Sequence, residues 1–141
     1  MIKKTLTYVD FNGQERTETF HFHFSETELL DMETSVDGGF SERVQRIVDA
    51  KDQGELLKIL QKFVKDAYGV KSDDGRRFVK NEDVLAAFVE SPAYPKIFME
   101  LLGDDKAAAE FVNGVVPADF KDRLEAMMAK QKTKALNITT N

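Results

Sequence analysis

Two histidines at alternate positions, His21 and His23, are the residues of this chain whose types and spacing most suggest chemistry. They lie in the stretch TETFHFHFSETE and alternate with Phe20, Phe22 and Phe24. In a β-strand alternate residues share a face, so both histidines point the same way, as two metal ligands would. A zinc site needs three or four ligands, and the chain has no third histidine and no cysteine. The pattern therefore favours a polar histidine face opposite an apolar phenylalanine face, with no metal or other cofactor.

The polar stretch SDDG at residues 72–75 is a second candidate for metal chemistry. A calcium loop of the EF-hand type needs acidic residues at alternate positions, glycine at the sixth and glutamate at the twelfth. If Gly75 is the sixth residue, Val70 is the first and Asn81 is the twelfth, so two decisive positions lack a carboxylate. The stretch therefore predicts a type I turn with side-chain hydrogen bonds to the backbone.

Motifs for other reactions are missing from the sequence. Gly38-Gly39 is not followed by the Lys-Ser/Thr pair of a phosphate-binding loop, and no Gly-x-Ser-x-Gly elbow occurs. A histidine acting as a general base would need a partner and a pocket, and the sequence indicates neither. We therefore expect no catalytic residues and a protein that is not an enzyme.

Composition limits the class of protein further. The 141 residues are enough for one domain, and 42% of them are hydrophobic, which is enough for a core. The net charge of -5 argues against nucleic-acid binding, which needs a basic surface. No apolar run approaches the ~18 residues of a membrane span, and the N-terminus lacks the pattern of a signal peptide. These features predict a soluble intracellular protein whose partners are neither nucleic acid nor membrane.

The elements that must position these side chains begin with a β-hairpin over residues 2–24. Two turns compete, a two-residue loop at 12–13 and a three-residue loop at 11–13 that pairs Asp10 with Gln14. A one-residue difference in register moves every side chain of a strand to the other face. Only the longer loop places the apolar residues of the first strand on the face of the phenylalanines, so we predict the longer loop. These apolar residues are Ile2, Leu6 and Tyr8.

Short amphipathic helices are predicted for the rest of the chain. Ser25 and Glu28 have the capping-box spacing at the start of a helix from about Glu26 to Thr34, and Asn81 can cap another. The clearest helix is GELLKILQKFVKDAYG, for which Gly69 is the predicted C-terminal cap. Further helices are predicted over about residues 41–52, 82–90, 92–102, 105–116 and 118–136.

These elements predict an α+β fold, mostly α, in which an N-terminal β-hairpin precedes a bundle of six or seven short helices. The predicted organisation is a hairpin over residues 1–25, a helical domain over residues 26–128 and a frayed C-terminal tail over residues 129–141. Helices this short are marginally stable alone, so tertiary packing must hold them.

The last predicted helix is a candidate for partner binding. Its apolar residues share one face, and methionine is common on surfaces that adapt to different partners. The same face could instead pack on the helical bundle, and the phenylalanine face of the hairpin could rest on this chain or on another protein. The candidate partner-binding residues are Phe120, Leu124, Met127, Met128, Phe20, Phe22 and Phe24.

Residues 40–117 resemble a known protein family. The stretches that carry the resemblance are AYGVKSDDGRRFVK at 67–80, FVESPAYPKIFMELL at 88–102 and AAEFVNGVVP at 108–117. DGGFSERVQRIVDAKD at 37–52 is similar too, and the hairpin is similar more loosely. The sequence resembles the tail assembly chaperones of long-tailed bacteriophages and related prophages.

The resemblance implies a function in tail assembly without catalysis. Members of this family bind the long tape-measure protein in the host bacterial cytoplasm and keep it soluble until the tail tube polymerises around it. They are typically absent from the finished virion, and many are made in two lengths through a ribosomal frameshift. The implied partners are therefore the tape-measure protein and a longer frameshifted form, and the sequence leaves open whether copies of this chain also associate with one another. A structural component of the phage tail or connector is the alternative expectation.

Overall fold

The structure is a computed structural model that describes residues 1–35 and 37–115. Within these residues the chain forms four strands and six helices. The strands are β1 (Ile2–Val9), β2 (Glu15–Phe22), β3 (Tyr68–Lys71) and β4 (Phe78–Val79). The helices are α1 (Glu26–Thr34), α2 (Phe40–Asp49), α3 (Gln53–Ala67), α4 (Glu82–Val89), α5 (Ala93–Gly103) and α6 (Asp105–Val115).

The sheet is larger than the sequence predicts. All four strands form one antiparallel sheet in the order β1-β2-β3-β4. The α+β class is right, but the prediction of a two-stranded hairpin followed by a bundle of six or seven helices is wrong. Residues 68–79 form a second hairpin, of which the sequence predicts only the turn at 72–75, and its first strand pairs with the end of β2, Phe22 opposite Tyr68. That pairing joins segments far apart in sequence, so no local pattern encodes it.

The first hairpin has the predicted three-residue loop. The Asp10 amide donates to the Gln14 carbonyl at 2.8 Å, and the Gly13 amide donates to the Asp10 carbonyl at 3.0 Å. Gly13 has a φ of 81°, a left-handed conformation that glycine adopts without strain. The Asp10 carboxylate accepts from the amides of Asn12 and Gln14, each at 2.9 Å, and from Arg16 Nε at 2.7 Å. The turn is therefore held by side-chain as well as backbone hydrogen bonds.

The predicted apolar face of this hairpin is also confirmed. Tyr8, Phe20 and Phe22 are buried on one side of β1 and β2, and Ile2 and Leu6 pack against them. The opposite side carries threonine pairs that hydrogen-bond through their hydroxyls at 2.8 Å and are exposed. One face of the sheet thus lies on the core and the other meets solvent, as is common in antiparallel sheets.

An aromatic cluster forms the core under the buried face of the sheet. The ring of Phe22 lies 5.9 Å from that of Phe88 and 5.1 Å from that of Phe111. Tyr68 stacks on Phe88 with ring centroids 4.1 Å apart. Each fully buried phenylalanine contributes about 1.5–3 kcal/mol relative to an exposed one. The cluster therefore holds β2, β3, α4 and α6 together.

Two helix starts are those predicted from the sequence. The Glu28 amide donates to Ser25 Oγ at 3.1 Å, and the Ser25 amide donates to Glu28 Oε1 at 3.0 Å, which completes the capping box of α1. Asn81 Oδ1 accepts from the Val84 amide at 2.8 Å and caps α4. Both caps satisfy amides that have no partner inside the helix.

The predicted role of Gly69 is wrong. The helix α3 ends at Ala67, and Tyr68 is already extended, with φ -67° and ψ 141°. Gly69 lies in β3 opposite His21 and does not cap the helix. A Cβ atom at Gly69 would lie 2.5 Å from the Phe78 ring. The glycine is therefore required for the close approach of β3 and the Phe78 side chain.

Candidate functional site

An apolar groove of about 800 Å³ opens between α1, α2, α3 and the start of α4. Its lining combines a buried floor, half-buried walls and a charged rim. The apolar lining includes Phe24, Met32, Phe40, Ile59, Phe63 and Leu85.

Two phenylalanines form the floor of the groove. Phe24 follows Phe22 at the spacing of a strand and keeps the inward direction, because the amide of His23 still bonds the Ala67 carbonyl at 2.8 Å. The ring of Phe24 lies 5.1 Å from the ring of Phe63 on α3. Their exposed fractions are 4% and 7%, so the floor belongs to the packed core.

The walls of the groove retain accessible apolar surface. Met32 on α1, Phe40 at the start of α2, Ile59 on α3 and Leu85 on α4 are each only partly buried. Removing such surface from water stabilises an apolar contact by roughly 25 cal/mol per Å². The walls can therefore bind an apolar partner without any change in the floor.

Lys80 closes one end of the groove. Its ammonium group donates to the His23 carbonyl and to Glu28 Oε2, both at 2.7 Å, and to the Asp66 carbonyl at 2.8 Å. It also lies 4.8 Å from the centre of the Phe24 ring. All three protons of the ammonium group are thus used. The lysine joins the end of β2 to the start of α1 and the end of α3.

The carboxyl group of Glu28 is held in its charged form at this end. Burial acts to raise its pKa, but the hydrogen bonds from Lys80 and from the Ser25 amide outweigh burial. The pKa of Glu28 is therefore lowered from its usual value. At neutral pH the two side chains form a charged pair, so neither leaves an uncompensated charge beside the apolar floor.

Paired charges frame the groove along α3. Lys58 Nζ lies 3.5 Å from Glu55 Oε1, and Lys62 Nζ lies 2.7 Å from Asp66 Oδ2. Both lysine side chains are 74% exposed, so these pairs add little to stability. An apolar centre with a polar rim is the usual arrangement of a protein-binding surface.

The side chains of the two histidines do not line this groove. Burial, then Lys71 and Lys3, lower the pKa of His21. Burial is also the largest cause that lowers the pKa of His23, whose ring meets the Phe78 ring edge-on at 5.8 Å. Both imidazoles are therefore mainly neutral at pH 7. Among residues 1–35 and 37–115, no group of three or more His, Asp or Glu side chains could hold a metal ion.

The structure places only part of the predicted partner-binding set. Phe20, Phe22 and Phe24 lie in this chain's own core, and Phe24 also forms part of the floor of the groove. The four remaining predicted residues lie outside the described part of the chain, and their role stays a prediction. These are Phe120, Leu124, Met127 and Met128.

The groove was not predicted from the sequence, although one residue of α3, Ile59, indicates it. On α3, Ile59 lies directly before Leu60 and four residues before Phe63, beside the residues that face the core. An apolar residue beside the core-facing stripe widens the apolar face of a helix. The other walls come from α1, α2 and α4, so their meeting depends on tertiary packing.

None of the helices in the described residues is long and apolar enough to cross a membrane. No curated protein and no solved structure shows significant similarity to the chain. A family model described as phage tail assembly chaperone matches residues 1–141, the whole of the sequence. This match confirms the resemblance seen in residues 40–117, and it implies a tail protein as the partner. The chain therefore belongs to the phage tail assembly chaperone family.

Proposed function

We propose that this protein binds the tape-measure protein of its phage and keeps it soluble before the tail tube polymerises around it. Membership of the family supports a role in assembly with a tail protein as the partner. The observation that carries the proposal is the apolar groove, about 800 Å³ in volume and framed by charged side chains. A groove of this kind shields apolar segments of a client from water.

The client segment that fits this groove best is an amphipathic helix. Such a helix lays side chains spaced three, four and seven residues apart into an apolar groove. Met32, Ile59 and Leu85 come from three different helices and line the groove. Each large apolar side chain of the client that is fully buried there contributes about 1.5–3 kcal/mol. The exposed ion pairs at the rim keep the empty protein in solution.

The proposal includes the setting in which the protein acts. It works in the host bacterial cytoplasm, has no enzymatic activity and is absent from the mature virion. The C-terminal apolar residues predicted from the sequence supply a second contact with the client. A longer form made by frameshifting shares the groove, because it would carry the same residues 1–115. The second contact rests on the spacing of Phe120, Leu124, Met127 and Met128.

Co-expression with the tape-measure protein of the same phage tests this function. The unchanged chain should increase the soluble fraction of the client and elute with it in one complex. Ile59→Lys places a charge on the wall of the groove and should abolish both effects. Val70→Lys is the matched control, because Val70 is apolar and 44% exposed on β3, outside the groove. It should behave as the unchanged chain.

Two results would contradict the proposal. The client could be equally insoluble with and without the chain, with no complex eluting. Alternatively, Ile59→Lys and Val70→Lys could bind the client equally well, which would remove the groove from the function. Leu85→Lys, on a different wall, guards against a local folding defect in the first variant.

A structural role in the tail is the second candidate, and the edge of the sheet favours it. β1 has eight residues and lies at the end of the strand order, with β2 its one neighbour in the described sheet. An open edge of this length can pair with a strand of another protein. Lys96 Nζ already donates to the Thr7 carbonyl and so occupies part of the edge. Finding the chain in purified virions at stoichiometric copy number would favour this role.

A further inference from the structure

The walls of the groove keep apolar surface that no described residue covers. Met32, Ile59 and Leu85 are each only partly buried there. The sequence continues after α6 with residues 116–141, which lie outside the described part of the chain. They include the last predicted helix, whose apolar face matches such walls in chemistry. The apolar residues of that face are Phe120, Leu124, Met127 and Met128.

Helix α6 ends close to the floor of the groove. The ring of Phe111 lies 6.2 Å from the ring of Phe63, one of the two floor residues. A Cβ atom on Gly114 would lie 2.3 Å from Ile2 Cδ1, and Ile2 pairs with the end of β2 just before the floor residue Phe24. The chain therefore leaves α6 beside its own groove.

The lengths of the segments match this position. Residues 116–119 separate α6 from the predicted apolar face, and an extended connection of this length spans about 13 Å. The groove follows α3 from Glu55 to Asp66, which is about 17 Å at ~1.5 Å per residue. A helix from Phe120 to Met128 is about 12 Å long by the same rule. The predicted apolar face can therefore lie along the groove within a single chain.

Two acidic side chains of the rim are available to a basic partner. Lys80 is matched by Glu28 at 2.7 Å. Asp31 on α1 and Glu82 at the start of α4 are exposed and line the groove, and neither forms an ion pair with a described residue. The part of the rim formed by α1 and the start of α4 therefore attracts basic side chains.

The last predicted helix carries basic side chains beside its apolar face. Arg123, Lys130 and Lys134 are spaced seven and four residues apart, so they lie along one side of that helix. Met127 lies four residues after Arg123 and three before Lys130, which places this basic row next to the apolar face. Exposed charge pairs add little to affinity, but they favour one orientation of the helix in the groove.

We propose that, in the free protein, the C-terminal segment of the same chain occupies the groove as an amphipathic helix. Its apolar face lies on the walls of the groove, and its basic row faces Asp31 and Glu82. A tethered segment acts at an effective concentration in the millimolar range, so one chain closes its own groove without a second copy. The contact therefore covers the apolar walls whenever no client is present.

This closure regulates client binding, and the consequence rests on the proposed function. The client helix and the C-terminal segment compete for the same walls, so each excludes the other. The apparent affinity for the client is reduced in proportion to the fraction of chains whose groove is open. Displacement also frees the apolar residues of the segment for the second contact with the client.

Chemical labelling of the groove wall tests this contact in the full chain. The protein has no cysteine, so Ile59→Cys gives a single thiol on the wall. The C-terminal segment should shield this thiol from N-ethylmaleimide. Leu124→Lys puts a charge into the contact and should speed the reaction about tenfold or more, the effect of losing one large buried apolar side chain. Met127→Lys should act in the same way and serves where Leu124→Lys does not fold.

Two controls separate closure of the groove from other effects. Ala126→Lys adds the same charge on the opposite side of the predicted helix and should leave the reaction rate unchanged. Val70→Cys places the thiol on β3, outside the groove, and should react at one rate with or without Leu124→Lys.

Equal reaction rates of Ile59→Cys with and without the changes at Leu124 and Met127 would overturn the proposal, as would an equal acceleration by Ala126→Lys. A rate that rises as the protein is diluted would also overturn it, because the cover would then come from a second copy. None of these results involves the client, so the proposed function survives them. A chain whose C-terminal segment covers the groove but which leaves the client insoluble would contradict the proposed function alone.

Discussion

At the scale of single residues, Lys80 is expected to contribute strongly to stability. Its ammonium group meets two backbone carbonyls and the Glu28 carboxylate, and its side chain is only 22% exposed. Lys80→Met removes all three bonds and leaves these oxygens without their donor. We expect the free energy of unfolding, measured with urea, to fall by about 2–4 kcal/mol.

Lys62 provides the matched control for this prediction. Its ammonium group bonds Asp66 at the same distance of 2.7 Å, but its side chain is 74% exposed. Lys62→Met should change the free energy of unfolding by less than about 1 kcal/mol. If both variants lost similar free energy of unfolding, burial of Lys80 would not explain the contribution of its hydrogen bonds.

The carboxyl group of Glu28 should make stability depend on pH. Its pKa is lowered in the folded protein, where burial is outweighed by the bonds from Lys80 and Ser25. The contribution is therefore present above the unfolded pKa and is lost as the pH falls through the folded pKa. Glu28→Gln should flatten the acid side of a plot of unfolding free energy against pH. An unchanged slope below pH ~4.3, the ordinary glutamate value, would contradict this.

Two tyrosines differ in whether their hydroxyl group has a partner. The Tyr94 hydroxyl is buried and has no hydrogen-bond partner among the described residues, whereas the Tyr8 hydroxyl donates to Glu18 Oε1 at 2.7 Å. Tyr94→Phe should therefore leave the melting temperature unchanged or raise it, and Tyr8→Phe should destabilise by about 1 kcal/mol. A loss in Tyr94→Phe equal to that in Tyr8→Phe would indicate that Tyr94 has a partner.

At the scale of elements, the second hairpin requires glycine at position 69, because glycine has no Cβ atom. A Cβ atom there would lie 2.5 Å from the ring of Phe78, so Gly69→Ala must displace that ring. Overpacking of this kind costs about 1–3 kcal/mol in chemical unfolding. Gly103→Ala, which meets nothing within 4 Å, should be neutral or slightly stabilising. Phe78→Leu combined with Gly69→Ala should recover part of the loss, and no recovery would argue against the clash.

The elements predicted correctly are those whose signals are local. The caps Ser25 and Asn81 and the loop that follows Asp10 depend on residues within four positions of one another. The pairing of Phe22 with Tyr68 depends on contact between two segments that are far apart in sequence. From sequence alone Gly69 has the position of a helix cap, and only its contact with Phe78 in the folded protein shows its actual role. Prediction from sequence therefore found the first hairpin and missed the second.

The candidate site was less predictable than the fold for the same reason. Its floor includes Phe24, which the strand pattern correctly turned inward. Its walls come from four helices, and the sequence pattern of any one helix does not indicate the space that the four leave between them. Lys80 follows the second hairpin, so its bonds to His23 and Asp66 could not be foreseen without that hairpin.

At the scale of the whole molecule, the last described helix packs against the first strand. A Cβ atom on Gly114 of α6 would lie 2.3 Å from Ile2 Cδ1, so the glycine allows the helix to approach β1 closely. Phe111 of α6 meets the rings of Phe22 and Phe63 at 5.1 and 6.2 Å. The two ends of the described chain therefore share one core with the floor of the groove.

This shared core predicts that distant elements unfold together. Phe111 is 1% exposed, and Phe111→Ala should lower the free energy of unfolding by about 3–5 kcal/mol. In Phe111→Ala, native-state hydrogen exchange should show that the amides of β2 lose as much protection as the amides of α6, because both elements depend on one cooperative core. Met99→Ala, on an exposed position of α5, should change neither. A loss confined to α6 would show instead that this helix opens alone, leaving the sheet and the groove intact.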